Sequence, residues 1–445
     1  MTNDLELDDI QHFLLARTPA RAARYEFLTF DDTTAGRRWL AGIVDKVGTG
    51  ASVGTNSPDA RWITVGFTAN GLRMLGVSDA SLASFPDEFR EGLAARAKIV
   101  GLTGANAPDH WDAGLIDPNL HAIAILFARD GAERDRAARE HARYVADIGG
   151  VRLLAFLDLE AIAPEPREHF GYLDRLSEVP IEGMATDPIP GSGRPIKAGE
   201  FFLGYPDESG VVPGLPQPAD LTRNGSYVAY LRMQEHVGAF RDFLRAHGDT
   251  HEAQELVAAK VMGRWRSGAP LVLAPDREDP ALGADLGRTN DFNYAAMDPH
   301  GYRCPVGAHI RRMNQRDDGE NQERHRMIRR GGTYGPALPP DAADDGVDRG
   351  IAAFIGGASL TRQFEFTMNV WVNDPSFGNL ENERDPLIGT HDGTFDMTIP
   401  KRPVRKKIGG LPAFTTVRAG AYFFLPGIRA LRKLAGASVP ARRLA

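Results

Sequence analysis

A single cysteine, Cys304, stands among 445 residues, and this constrains the fold more than any other feature. No disulfide can form within the chain, and neither a multi-thiolate metal site nor an iron–sulfur cluster can be built. Burial of apolar surface has to hold the chain together. The 42% hydrophobic content is ordinary for a globular protein of one or two large domains. The net charge of −7 argues against nucleic acid as the main partner, because phosphate binding needs a basic footprint. The one basic run, Lys401, Arg402, Arg405, Lys406 and Lys407, reads as a solvated loop or strand edge. Residues 1–9 are acidic with no apolar core, Arg37–Arg38 has no apolar stretch behind it, and no run of about 18 apolar residues occurs. These features predict a cytoplasmic location and no membrane partner.

Hydrophobic periodicity predicts strands over 62–67 and 121–128, and an amphipathic helix over 132–148 that stops at Gly149–Gly150. A second long helix is expected over 227–246, with Leu231, Val237, Phe240 and Leu244 on one stripe and Gly248 beyond its end. A third is expected over 251–265. Residues 363–371 and 421–425 read as buried strands. Segments 187–199, 269–289 and 336–350 carry turn and loop composition, and the basic tail 435–445 reads as a frayed end. Strands and helices alternate without the regular rhythm of parallel βα units, so an α+β class is expected.

The common phosphate, nucleotide and zinc signatures are missing. There is no P-loop, no His-Glu-x-x-His and no nucleophile elbow, and the twelve histidines are scattered. What stands out is a polar cluster over 302–335. It contains Arg303, Cys304, Pro305, Ala308, His309, Arg311, Arg312, Asn314 and Arg316, then His325, Arg326, Arg329 and Arg330 ahead of Tyr334-Gly335. A lone histidine is more often structural than a ligand. Arginines at this density, however, suit a bound carboxylate anion.

Cys304-Pro305-x-x-Ala308-His309-x-Arg311-x-x-Asn314-x-Arg316 resembles the proximal segment of the dye-decolourising peroxidases. His325-Arg326-x-Ile328-Arg329-Arg330-Gly331-x-x-Tyr334-Gly335 is similar to their distal-arginine segment. Gly171-Tyr172-Leu173-Asp174 resembles the Gly-x-x-Asp-Gly motif that supplies a distal aspartate. Shorter similarities lie at Asp9-Ile10-Gln11, Phe85-Pro86, Trp111, 197–205, 371–375 and 422–426. The likeness covers about residues 8–435, with the three functional segments in the family's order.

The resemblance implies a fold of two ferredoxin-like halves with antiparallel sheets and flanking helices. Residues 1–225 would carry the distal aspartate and 226–445 the haem-ligating histidine. It implies one haem b per chain, with His309 as metal ligand, and oxidation of bulky phenols, dyes or similar reductants by hydrogen peroxide, in a chain able to form a homo-oligomer. Asp174 would move the peroxide proton, with an acidic optimum if it is the base, and Arg329 would stabilise the developing negative charge. Arg330 is the neighbouring alternative. An acid beyond Trp371 should hold the other ring nitrogen of His309; Asp392 is preferred and Asp385 is the alternative. Arg311 or Arg312 can pair with a haem propionate or form a salt bridge within the protein.

Three departures from the family pattern matter. Arg175 follows Asp174 where the family has glycine, Gln315 stands for proline, and Gly332-Thr333 replaces an apolar–Pro pair. Arg175 bears on distal geometry, because a side chain with a Cβ resists the turn that glycine permits. A haem-binding protein of the same fold with weak peroxidase activity, serving another haem-dependent oxidation or haem handling, is therefore the alternative; a haem-free protein is the remaining rival. Trp111, Trp265, Trp371, Tyr334 and Tyr422 are candidates for electron relay, but each also fits core packing, and none is chosen.

Overall fold

Aromatic and β-branched runs buried on both faces generate the centre of the molecule, a closed barrel of eight antiparallel strands. The computed structural model describes residues 5–17, 20–50, 62–112, 115, 118–162, 166–184, 191–316 and 320–436. The strands are β1 Ala22–Phe30, β2 Ile63–Phe67, β3 Ala122–Ala128, β4 Val151–Glu160, β5 Ser226–Glu235, β6 Ile328–Tyr334, β7 Gly350–Gly357 and, after a small hairpin of β8 Met397–Ile399 and β9 Lys406–Ile408, β10 Thr415–Leu425. The exposed basic run lies in and around that hairpin.

Around the barrel the order is β4-β1-β3-β2 and then β10-β5-β7-β6. Each quartet carries a helical crossover after its first and third strands. Helices Thr33–Ile43 and Gly131–Ile148 serve the first quartet. Val237–His247 with His251–Met262, and then the helical turns over 361–372, serve the second. These are the two ferredoxin-like halves of an α+β fold. The seams between them are narrow. Phe424 pairs with Phe67 between β10 and β2, and Leu159 pairs with Tyr334 between β4 and β6. Inside the barrel the rings of Tyr25, Phe27, Tyr230 and Phe354 pack at 5.0–5.3 Å. Among the described residues no helix is long and apolar enough to cross a membrane.

The strand readings at 62–67, 121–128 and 421–425 and the helix at 132–148 match elements of the structure. Two readings are corrected. Residues 226–235 form β5, and the helix begins only at Val237. Tyr227 to Leu231 are buried on both faces, between β10 and β7, so the segment shows no period-two alternation. Residues 363–371 are helical, with Phe364, Met368, Trp371 and Val372 at helical spacing. The helix expected over 251–265 stops at Met262, where Gly263 takes a left-handed conformation (φ +96°). A Cβ there would sit 2.5 Å from Ile310, so this glycine lets the helix end approach the segment that follows His309. The 269–289 connection holds a short helix, Pro280–Ala284. Part of the 187–199 loop and nearly all of the 435–445 tail lie outside the described residues.

The β2–β10 seam depends on Phe424, fully buried against Phe85, Phe89 and Tyr227. Phe424→Ala should lower unfolding stability by about 3–5 kcal/mol in urea titrations, as expected for a large buried ring whose site cannot collapse.

Candidate active site

The proximal segment starts from a buried turn. Cys304 is packed with Trp265, Leu271 and Tyr294, and Ala308, in extended conformation, leads into the single helical turn His309–Met313. Two arginines pin that turn from opposite sides. Arg311 donates to the Asp298 carboxylate (3.2 Å) and to the Cys304 carbonyl (2.8 Å). Arg312, fully buried, donates to the carbonyls of Trp371 (2.6 Å), Asp374 (2.9 Å) and Glu383 (3.3 Å). Neither guanidinium is left for a cofactor. The expectation that Arg311 binds a propionate is corrected to an internal ion pair.

His309 is fixed by the orientation that results. Its Nδ1 lies 2.9 Å from Asp385 Oδ2, and the other oxygen of Asp385 accepts the backbone N–H groups of Leu387 and Ile388 (3.0 Å each). Burial by itself would raise the Asp385 pKa, but His309 and those donors hold the carboxyl below the usual range. An ionised acceptor places the ring proton on Nδ1 and leaves the Nε2 lone pair, which has no hydrogen-bond partner, for a ligand. Asp392 does not take this part. It is exposed in the turn after His391 and caps Thr394 through its N–H (3.0 Å) and hydroxyl (2.5 Å). The preference for Asp392 over Asp385 is therefore corrected.

The distal segment is a loop wound around a buried acid. Glu168 accepts the N–H groups of Phe170 and Tyr172, both at 2.7 Å. The second half supplies its remaining anchors. Glu235 on β5 accepts the His169 N–H (3.1 Å), His169 Nε2 lies 2.8 Å from the Tyr334 carbonyl, and Tyr172 donates to the Ala258 carbonyl (2.7 Å). Asp174 follows, exposed and with no side-chain hydrogen bond. Arg175 adopts φ +66°, the conformation a glycine would take, so the turn is kept at a strain cost of about 1 kcal/mol. Beyond it, Ser177 accepts Arg329 of β6 at Oγ (2.8 Å). Arg329 lies within electrostatic reach of Asp174. Arg330 points the other way, to Glu178 and to the carbonyls of Phe13 and Leu14, and is not free to replace it.

Two residues that sequence reasoning missed complete the site. Asn290, almost fully buried, donates to the Leu176 carbonyl (2.7 Å) while its Oδ1 accepts Arg264 (2.8 Å) and Arg316 (3.1 Å), so it ties the distal loop to the proximal segment. Arg326 is half-buried and, among the described residues, makes no side-chain hydrogen bond or ion pair. Burial, with Arg329 and Arg316 nearby, pushes it down to about 10; burial and Arg316 push Arg264 down to about 9. Several guanidiniums thus share one region.

This donor set fits a haem. Among the described residues no three His, Cys, Asp or Glu side chains converge as a metal site, so a metal at His309 Nε2 must bring most of its own ligands. The unpartnered Arg326, beside Arg316 and Arg264, is placed to meet the carboxylates such a group carries. The five aromatic relay candidates are all buried in packing.

Two measurements follow from this geometry. Asp385→Asn should weaken haem affinity about 10–100-fold in Soret titrations, whereas Asp392→Asn should leave it unchanged. The second concerns Glu168 and Glu235, neighbouring carboxyls whose pKa values burial raises, that of Glu168 to about 7. The folded state keeps protons that the unfolded chain releases near pH 4.5, so the pair's contribution is fully present below that pH and is lost as pH rises through about 7. Urea midpoints from about pH 5 to 8 should show Glu235→Gln gaining on the wild type as pH rises, by on the order of 1.4 kcal/mol per unit where one proton differs.

No family model matches the chain. Among curated relatives, a dye-decolorizing peroxidase of Mycena epipterygia is 29% identical, covering 97% of this chain and 88% of its own. A multifunctional dye peroxidase of an Amycolatopsis species is 28% identical, covering 96% of each. Among solved structures, an ancestral D-type dye-decolorizing peroxidase superposes with a TM-score of 0.86 at 25% identity, over 98% of this chain and all of that one. Along nearly its whole length, in its fold and in the three resembling segments that build the site, the chain is similar to the dye-decolourising peroxidases.

Proposed function

We propose that the chain binds one haem b through His309 and uses hydrogen peroxide to oxidise bulky phenols, dyes and similar reductants. The observation that carries this is His309 itself, with Nδ1 held by the buried Asp385 and Nε2 open. Haem, when bound, supplies the redox centre at which peroxide is reduced and reductants are oxidised. Arg326, whose guanidinium is not engaged among the described residues, is the residue that would hold one of its carboxylates. Supporting the choice of reductant, a related dye-decolorizing peroxidase of 25% identity has been solved in complex with 2,6-dimethoxyphenol.

The remaining chemistry belongs to the chain. Asp174 is a carboxylate without a competing partner, so it can take the peroxide proton at a carboxylate oxygen and return it to the departing oxygen. Arg329, steadied by Ser177, keeps donors free to stabilise the negative charge on that departing oxygen. In this reading the first half, 1–225, supplies Asp174 and the second, 226–445, supplies His309 and Arg329. The alternative of a weak peroxidase rested on a turn displaced by Arg175. The left-handed φ of Arg175 is the conformation a glycine would take there, which supports the peroxidase reading over that alternative.

Stopped-flow mixing of haem-loaded protein with stoichiometric peroxide tests the assignment. Asp174→Asn should slow the Soret change by about 10²–10⁴-fold while the resting spectrum stays that of the wild type. An aspartate variant as fast as the wild type would contradict the role given to Asp174.

A further inference from the structure

We propose that Arg175, together with Arg17, forms an anion-binding mouth beside Asp174 that selects reductants bearing a carboxylate or sulfonate. The proposal rests on the peroxidase reading for its reaction, and on Ser177 for its geometry. Arg17 donates to the Ser177 carbonyl (2.9 Å) and Arg329 to the Ser177 hydroxyl (2.8 Å), so two guanidiniums from different halves meet two residues beyond Arg175. The Nη1 of Arg17 is buried with no hydrogen-bond partner. Arg175 and Arg21 are exposed, and neither side chain makes a hydrogen bond or ion pair. Arg175 lies within electrostatic reach of Asp174, Arg17 and Arg21.

Among the described residues, cations outnumber anions around Asp174. Glu178 is shared between Arg17 (2.9 Å) and Arg330 (2.8 Å), and among the described residues Asp174 has Arg175 and Arg329 within electrostatic reach. A local cationic surplus in a chain of net charge −7 draws anions towards it. A planar fork with unfilled donors matches a carboxylate or sulfonate, whereas a neutral phenol gains nothing from it. Arg175 occupies this position despite a left-handed backbone that any β-carbon strains, and such strain persists where the surroundings enforce it.

The test compares two substrates that differ by one group. These are 2,6-dimethoxyphenol and 3,5-dimethoxy-4-hydroxybenzoate, which carries the same ring with a carboxylate added. In the haem-loaded enzyme, Arg175→Gln should raise KM for the carboxylate about fivefold to tenfold with kcat unchanged, and leave KM for the neutral phenol where it was. Arg175→Gly should behave in the same way, because charge rather than backbone relief is the cause. Added salt should raise the wild-type KM for the carboxylate only. Calorimetric titration with benzoate reads the mouth without turnover, and binding should weaken in both variants. Equal KM changes for the two substrates, no change for either, or an effect confined to Arg175→Gly would overturn the proposal. Benzoate binding that depends on Arg175 in a protein that leaves peroxide untouched would uphold the anion site and remove the peroxidase reading instead.

Discussion

The hydrogen bond between His309 and Asp385 organises one whole side of the molecule. A carboxylate with no exposure to solvent is tolerable only if its oxygens are filled, and His309 together with the N–H groups of Leu387 and Ile388 fills them. The same bond decides which ring nitrogen remains open. Arg312 then locks the turn carrying His309 to the carbonyls of Trp371, Asp374 and Glu383, the stretch that leads into Asp385. His309 and its anchor Asp385 are therefore held by one network, so a displacement of either is felt by both.

The distal side obeys a different constraint. Its loop belongs to the first half of the chain, yet most of its anchors belong to the second: Glu235, the Tyr334 and Ala258 carbonyls, Arg329 and Asn290. Closure of the barrel through its two narrow seams is what brings Asp174 and Arg329 together. The guanidiniums of Arg264, Arg316, Arg326 and Arg329 repel one another in that region. An anion bound among them relieves this repulsion, so cofactor binding and stability are linked in the same direction.

Much of this was legible in the sequence, for identifiable reasons. The Gly131–Ile148 helix is amphipathic, and β2 and β3 are short apolar runs, so local pattern suffices for them. β5 and the 361–372 helix are buried nearly all round, and an apolar run without a polar face does not declare its period. At the site, motif spacing pointed to His309, Asp174 and Arg329 as candidates. It could not rank Asp385 against Asp392, because the choice depends on which acid the chain buries; the apolar neighbours Leu387 and Ile388, against the Gly393-Thr394 turn, were the available signal. Asn290 was invisible, since its bond to Leu176 spans 114 residues and no local pattern encodes it. Arg326 stood within a resembling segment, but only the structure separates an unpartnered guanidinium from Arg311 and Arg312, which are engaged.

The claim on which the account turns is that His309 Nε2 is the protein's bond to haem iron. Resonance Raman and electron paramagnetic resonance spectra of the haem-loaded chain, wild type beside His309→Ala, read that bond directly. The account predicts one haem per chain with a histidine-ligated spectrum in the wild type. It predicts loss of that signature in the variant while far-ultraviolet circular dichroism stays unchanged, with exogenous imidazole restoring the signature. A variant that keeps the wild-type ligation signature, or a wild-type protein that takes up no haem, would contradict it.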